Sequence, residues 1–177
     1  MPIIQLSNLS RHYGEGETLV KALDDISVSI EEGEIVALLG PSGSGKTTLL
    51  NTIAALDIPT DGTYEFSGDA VPLGHIENMT TFRRENVGYI FQFFNLLADL
   101  TALENVLLVQ DLAGTRDKKK ALGLLDAVGL NGLENRFPSQ MSGGQRQRVA
   151  IARALAKSPR IILGDDCLLY TSPSPRD

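Results

Sequence analysis

The sequence predicts an α/β fold, and three consecutive stretches carry that prediction. The segment EIVALLG, which ends at Gly40, is a continuous apolar run of the kind found in buried parallel strands. The Gly-rich loop GPSGSGK begins at the same glycine. The residues that follow, up to Leu56, place leucine and isoleucine at helical spacing. Strand, loop and helix in direct succession are a standard unit of α/β proteins.

The remaining elements follow in order along the chain. ISVSI at 26–30 alternates apolar and polar residues, as a half-buried strand does, and GTYEF and VGYIF predict two further short strands. Helical patterns fill residues 93–140, where Thr101 and Glu104 form a T-x-x-E capping signal. After SGGQ, an apolar stripe predicts a helix that stops before Pro159, and RIILG is predicted as a last buried strand.

Composition and charge narrow the class of protein. The 177 residues suit one domain with a buried core, and a net charge of −6 argues against a nucleic-acid partner. No apolar run reaches the roughly 18 residues of a membrane span, and the N-terminus lacks the pattern of a signal peptide. We therefore expect a soluble, cytoplasmic chain that does not bind nucleic acid.

The segment 40–48 fits G-x-x-x-x-G-K-[ST], the pattern of a phosphate-binding P-loop. Its glycines let backbone N–H groups point at phosphate oxygens, and the following helix N-terminus adds positive partial charge. Lys46 is predicted to reach the β- and γ-phosphates, and the Thr47 hydroxyl to bind Mg²⁺. The alternative is a Gly/Ser turn with a solvated lysine. The predicted nucleotide-binding residues are Gly40, Pro41, Ser42, Gly43, Ser44, Gly45, Lys46, Thr47 and Thr48.

Two more motifs distinguish between the many classes of P-loop protein. MSGGQRQRVAIARAL at 141–155 and GYIFQ, which ends at Gln92, resemble the ABC-type ATPase family, and the resemblance covers residues 3–165. It implies an α/β P-loop NTPase (RecA-like) core, an antiparallel β subdomain and an inserted α-helical subdomain.

We place the partial ABC ATPase domain at residues 1–166. The core is assigned to 1–92 and 141–166 and the helical lobe to 93–140. We expect the fold to be incomplete at the C-terminus.

The same resemblance gives a role to the SGGQ stretch. In the ABC family two ATPase domains pair head to tail, and the signature loop of one closes on the γ-phosphate held by the P-loop of the other. That role falls on Ser142, Gly143, Gly144 and Gln145. A helix N-terminus favours an anion, and glycines allow close backbone approach. The alternative is an N-capped helix that follows a glycine hinge.

Three further residues match the family's site. Gln92 matches the glutamine that touches Mg²⁺ or the attacking water, although a polar residue after a strand can equally begin a loop. Tyr13 matches the aromatic residue that stacks on adenine, although a tyrosine is by itself more often in the core. Asp165 matches the aspartate that holds Mg²⁺, with a capping role as the alternative. The resemblance therefore implies ATP and Mg²⁺ as cofactors, with metal contacts at Thr47, Gln92 and Asp165.

Residue 166 departs from the family's pattern. The family has a glutamate there that polarises the attacking water, whereas Asp166 is one methylene shorter, and catalysis depends on reach. The resemblance assigns catalysis to Asp166 together with Gln92 and Lys46. We expect the longer protein to hydrolyse ATP, and the present chain to be poorly soluble and without ATPase activity.

The final stretch CLLYTSPSPRD, residues 167–177, is interpreted as non-native. It looks like the conceptual translation of a transposase-type sequencing adaptor. A glutamate codon cut after its second base and completed by the adaptor becomes aspartate, which would also explain Asp166. The alternative is a natural disordered Ser/Pro tail.

The motifs look most like the ATPase subunits of the lipoprotein-releasing and macrolide-exporting branch. The resemblance implies a head-to-tail dimer with a second ABC ATPase domain. It also implies a cytoplasmic subunit, peripheral on the inner face of the plasma membrane, that powers export or lipoprotein release through a separate transmembrane permease. Two alternatives stay open, namely a soluble ABC-type ATPase of DNA repair or translation and a nucleotide-binding module that does not hydrolyse ATP.

Overall fold

The computed structural model describes residues 1–165. Residues 1–86 form one compact unit, and residues 87–165 belong to a second one. Asp166 and the stretch 167–177, which carry the expectations about a shortened catalytic acid and a non-native tail, lie outside the described residues. The assignment of a helical lobe to 93–140 stays a prediction.

The first unit is built on a four-stranded antiparallel sheet. Its strands are β1 (Ile4–Tyr13), β2 (Val20–Ile30), β3 (Asp61–Phe66) and β4 (Asp69–Ala70), in the spatial order β2-β1-β3-β4. From Ile26 to Ile30 the apolar side chains of β2 are half-buried and the polar ones exposed, as their alternation predicts. The predicted strands ISVSI and GTYEF and the antiparallel β subdomain are confirmed.

Two helices accompany this sheet, α1 (Lys46–Ile53) and α2 (Ile76–Asn86). The sequence predicts α1 but not α2, because only Met79 and Phe82 of α2 are buried and the remaining residues are mostly polar. The Phe82 ring meets Tyr64 and Phe66 edge to face, with centroid distances of 6.1 and 5.2 Å. Packing against the sheet therefore stabilises a helix whose own pattern is weak.

The apolar run before the P-loop is not a strand. Residues 34–40 belong to neither sheet of the described chain, and Ile35 and Leu39 are 98% and 88% exposed. The prediction of a buried parallel strand at EIVALLG is therefore wrong. A parallel strand is buried only when other strands pair with it and helices cover both faces. Within residues 1–165 no strand pairs with this run, so its apolar composition is not matched by burial.

The second unit combines a parallel strand pair with three helices. The strands are β5 (Val87–Ile90) and β6 (Ile161–Gly164), and the helices are α3 (Ala102–Ala113), α4 (Lys118–Ala127) and α5 (Gly143–Leu155). The helices share one core, which includes Leu103, Val106, Leu107, Ala121, Leu125, Leu130, Met141, Val149 and Ala152. The predicted capping box of Thr101 and Glu104 is present at the start of α3. None of the helices in the described part of the chain is long and apolar enough to span a membrane.

Strand β6 is less buried than its sequence predicts. RIILG does form a parallel strand, but Ile162 is 50% exposed and only Leu163 is buried. Among residues 1–165, β6 pairs with β5 alone, so one edge has no neighbouring strand. The expectation of a strand is confirmed, and the expectation of full burial is wrong.

Candidate functional site

The P-loop leads into α1 through glycines that no other residue replaces without strain. Gly43 and Gly45 have φ values of +79° and +88°. A Cβ atom at Gly45 would lie 2.2 Å from the backbone oxygen of Ala22 in β2. The absence of a side chain at Gly45 therefore allows the start of α1 to approach β2 closely.

Lys46 folds back onto its own loop. Its Nζ donates to the backbone oxygens of Gly40 and Pro41, at 2.8 and 2.7 Å, and to the Oγ of Ser44, at 3.2 Å. The ammonium thus lies inside the curve of the loop and satisfies its three donors there. Among the described residues, no side-chain hydrogen bond caps α1, whose N-cap is Gly45. A helix start of this kind, next to a lysine, has the donors that a phosphate group needs.

The signature stretch opens α5 in a different way. Ser142 is the N-cap, and its Oγ accepts from the backbone N–H of Gln145 at 3.2 Å, while the Gln145 side chain accepts from the Ser142 N–H at 2.9 Å. A Cβ atom at Gly143 or Gly144 would meet nothing within 4 Å. The structure therefore agrees with a capped helix start, and the internal packing of the described chain does not require these two glycines.

Gln92 and Asp165 follow the carboxyl ends of the two parallel strands. Ile90 pairs with Gly164, and the Asp165 N–H donates to the Ile90 oxygen at 3.0 Å, so both chain segments leave the sheet at one edge. Burial, assisted by the negative charge of Asp165, raises the pKa of the Tyr89 hydroxyl to about 12. The edge thus carries a carboxylate and an amide, at the end of the strands where ligands of α/β sheets bind.

The predicted metal-binding residues carry oxygen atoms, which are the ligands that a hard cation such as Mg²⁺ prefers. In the second unit Asp165 and Gln92 offer carboxylate and amide oxygens, and in the first unit Thr47 offers a hydroxyl oxygen. Within residues 1–165 there is no group of three or more His, Cys, Asp or Glu residues that could form an all-protein metal site. Mg²⁺ usually binds through one or two carboxylates together with water and substrate phosphates, so a single aspartate fits this ion.

Tyr13 is the last residue of β1 and is 40% exposed, so the core alternative does not hold. Its hydroxyl donates to the Asp57 carboxylate, which also binds Arg11. Sequence reasoning missed both charged partners. Arg11 stands two residues before Tyr13, on the same face of a strand, and that spacing is the only signal in the sequence.

Arg153 is a third residue that the sequence analysis missed. Its guanidinium donates to the backbone oxygens of Phe94 and Asn95, both at 2.6 Å, and burial lowers its pKa. It thereby ties α5 to the segment that follows Gln92. The signal in the sequence is its position four residues after the buried Val149, where a cation on the apolar face of a helix needs partners.

Comparison with known proteins identifies the family to which these motifs belong. The family model for ABC transporters matches residues 23–169. An ABC transporter ATP-binding protein of Mycobacterium tuberculosis is 49% identical over 168 residues, which are 93% of this chain and 68% of that protein. A macrolide export ATP-binding/permease protein of Hyphomonas neptunium is 46% identical over 168 residues, which are 93% of this chain and 26% of that protein.

Solved structures give the same result. A dimeric ABC transporter cassette is 44% identical, with a TM-score of 0.85 over 92% of this chain and 73% of that one. The post-hydrolysis state of an ATP-binding cassette, a dimer bound to ADP and Pi, is 43% identical with the same TM-score and coverage. The family match over most of the chain, the relatives and the fold agree, and the chain belongs to the ABC transporter family as an ATP-binding protein.

Proposed function

We propose that this chain binds ATP and Mg²⁺ as the ATP-binding subunit of a membrane exporter that is driven by ATP hydrolysis. The observation that carries the proposal is the P-loop, where Gly45 and Lys46 combine a helix start with an ammonium group inside one loop. Backbone N–H groups, the helix dipole and a lysine are the groups that hold β- and γ-phosphates in P-loop proteins. On binding, Lys46 would exchange loop carbonyls for phosphate oxygens, which are stronger acceptors because they are charged.

We assign the metal to Thr47, Gln92 and Asp165, whose oxygen donors suit Mg²⁺. Bound Mg²⁺ would neutralise charge on the β- and γ-phosphate oxygens. Gln92 is also proposed to orient the attacking water, and the residue at 166 to polarise it. A glutamate at 166 would reach further than Asp166 does, so we propose that this chain hydrolyses ATP poorly.

The signature stretch is proposed to serve a second ATPase domain. Gly143 and Gly144 leave open space at the start of α5, where a partner's γ-phosphate could approach the backbone closely. Glycine in a helix is less stable than alanine by about 0.5–1 kcal/mol, so two glycines with no internal packing role indicate a contact from outside. The two solved cassettes are described as dimers, which supports a head-to-tail pairing for this chain.

The transmembrane partner is proposed to be a separate permease. The relative from Hyphomonas neptunium joins ATP-binding and permease parts in one protein and is named for macrolide export. For the present chain we propose export or lipoprotein release as the work performed, at the cytoplasmic face of the plasma membrane. Co-purification with an integral permease would support this assignment, whereas co-purification with ribosomes or DNA would favour the soluble alternative.

Equilibrium binding of MgATP to the full chain tests the core of the proposal. We expect Lys46→Ala to weaken binding by about tenfold or more, because hydrogen bonds to charged groups are worth about 1.5–3 kcal/mol each. Lys120→Ala is the matched control, since that ammonium donates to Ser158 Oγ at 2.7 Å in the second unit. Equal affinities of the wild-type chain and Lys46→Ala would contradict the proposal.

ATP turnover is a separate measurement. We expect none from this chain. Turnover by the wild-type chain that disappears in Lys46→Ala would contradict the expectation that Asp166 cannot replace a glutamate. It would leave the assignment of the P-loop intact.

A further inference from the structure

Three side chains at the end of β1 form a closed set of contacts. The Asp57 carboxylate accepts from the Tyr13 hydroxyl at Oδ2, from Arg11 Nε at Oδ2 (3.1 Å) and from Arg11 Nη2 at Oδ1 (2.8 Å). The Arg11 guanidinium also lies over the Tyr13 ring, with Cζ 4.4 Å from the ring centroid. Each of the three side chains therefore contacts the other two.

These contacts fix the Tyr13 ring while leaving part of it accessible. The hydroxyl bond holds the far end of the side chain, and the guanidinium covers one face. A planar ligand can therefore stack only on the opposite face. The side chain remains 40% exposed, although an exposed tyrosine is otherwise free to change rotamer.

Asp57 connects this ring to the helix of the P-loop. The Asp57 N–H donates to the Asn51 oxygen in α1 at 3.2 Å, and Thr60 Oγ1 accepts from the His12 N–H at 2.9 Å. Helix α1 has eight residues and is therefore about 12 Å long. The P-loop lies at its first turn and Asp57 just beyond its last, so one short rigid element holds both the loop and the carboxylate that orients Tyr13.

The electrostatics favour a persistent cluster. Burial alone would raise the pKa of Asp57, but hydrogen bonds from Tyr13 and Arg11 outweigh burial and hold that pKa below its usual value. The carboxylate is therefore ionised at neutral pH and balances the Arg11 charge. A bidentate arginine–carboxylate pair is also one of the more rigid pairs that side chains form.

We propose that Asp57 and Arg11 are positioning residues that hold the Tyr13 ring for stacking on the base of the nucleotide. The inference rests on the proposed function, because it requires the phosphates to bind at the P-loop. It goes further by assigning to a carboxylate beyond α1 and to an arginine on β1 a role in binding the base, not the phosphates.

The test compares a ligand that has a base with one that lacks it, in the full chain. MgATP and magnesium tripolyphosphate are titrated into the wild type, Asp57→Asn, Arg11→Met and Tyr13→Ala. We expect Tyr13→Ala to weaken ATP binding by about tenfold, in line with the loss of a base–aromatic stack. Asp57→Asn and Arg11→Met are expected to weaken it by about three- to tenfold, while tripolyphosphate affinity stays unchanged in all three variants.

A double variant separates positioning from general stability. In the Tyr13→Ala background, adding Asp57→Asn should have no further effect on ATP affinity, because no ring remains to be oriented. Asp24→Asn is the matched control, since the Asp24 carboxylate also contacts two side chains of the first unit, Lys21 and His12, neither of which belongs to the Tyr13 cluster. Arg11→Lys retains the charge and should recover part of the affinity that Arg11→Met loses.

The outcomes distinguish the positioning role from the proposed function on which it rests. If the wild type binds neither ligand, the proposed function fails and the positioning role fails with it. If the wild type binds both and Asp57→Asn leaves ATP affinity unchanged, only the positioning role is overturned. Equal losses for ATP and tripolyphosphate in Asp57→Asn would show a structural role and would overturn it as well.

Discussion

Helices α1 and α5 both have glycine at their start, but within residues 1–165 only α5 of the two has a side-chain cap for its first backbone N–H groups. Helix α1 begins at Gly45, a left-handed glycine with φ +88° and no side chain to offer. Helix α5 begins at Ser142, which forms a complete capping box with Gln145. Both starts contain serine and glycine residues, and the sequence predicts that both bind a phosphate.

The two helix starts differ in where their first backbone N–H groups find hydrogen-bond acceptors. A helix leaves its first N–H groups without intrahelical acceptors, and a capping box satisfies two of them from within the chain. The α5 start is therefore partly satisfied from within the chain, and its glycines keep the approach to the remaining backbone open. The α1 start has one glycine, Gly45, that its own packing requires, so its shape is set by the fold and its donors suit a ligand.

Substitution of the P-loop glycine should have the largest effect. In Gly45→Ala the new Cβ would lie 2.2 Å from the Ala22 oxygen, and the residue would also need φ near +88°. We expect a loss of about 3 kcal/mol or more in the stability of the first unit, together with loss of ATP binding, because backbone strain and a steric clash add. Urea denaturation and ATP titration measure the two effects.

Gly43→Ala is the control for that comparison. Gly43 has φ +79°, but a Cβ atom there would meet nothing within 4 Å, so only the backbone strain remains, at about 1–2 kcal/mol. Equal losses in the two variants would show that the approach to β2 does not set the shape of the loop.

The contrast also explains which parts of the molecule the sequence predicts. Capping boxes are local, so Thr101 with Glu104 and Ser142 with Gln145 can be read from letters three positions apart. The P-loop helix and the antiparallel strands are local patterns as well. Whether the apolar run at 34–40 is buried cannot be predicted from local sequence, because its burial depends on strands that must pair with it.

The site follows the same division. Motifs with fixed spacing, such as the P-loop and the SGGQ stretch, are found from the sequence alone. Arg11, Asp57 and Arg153 are not, because their roles come from contacts between residues more than forty positions apart in the chain. Asp57 in particular follows a helix without any local pattern, and only the folded chain brings it to Tyr13.

Removing the serine cap should have the next largest effect. Ser142→Ala deletes the side-chain acceptor for the Gln145 N–H, and loss of an N-cap typically costs about 1 kcal/mol. Thr101→Ala makes the same change at α3 and should cost a similar amount. We also expect Ser142→Ala to weaken ATP-dependent dimerisation, measured by sedimentation, and Thr101→Ala to leave dimerisation unchanged. Parallel effects of the two variants on dimerisation would contradict a special role for Ser142.

Gly144→Ala should separate stability from association. A Cβ there meets nothing within 4 Å, and alanine is the better helix former, so the second unit should gain up to about 0.5–1 kcal/mol. The same methyl group would stand in the approach to a partner's γ-phosphate, and ATP-dependent dimerisation should fall. Urea denaturation measures the gain and sedimentation with MgATP the loss. A destabilised Gly144→Ala chain would contradict the open space at this glycine.

The smallest effect should come from changing the third helical residue of each capping box, which is Glu104 in α3 and Gln145 in α5. Hydrogen bonds from the backbone N–H and the hydroxyl of Thr101 hold the pKa of Glu104 below its usual value, whereas Gln145 has no charge to lose. A carboxyl group whose pKa is lower in the folded state than in the unfolded state stabilises the fold at pH values above its unfolded-state pKa. This stability is lost as the pH falls through the folded-state pKa. The difference in urea midpoint between the wild type and Glu104→Gln should therefore shrink from neutral pH to about pH 3, and a constant difference would contradict this prediction.

Gln145→Glu should give α5 the same acid sensitivity. At neutral pH it should also weaken ATP-dependent dimerisation, because a carboxylate would then face the partner's γ-phosphate.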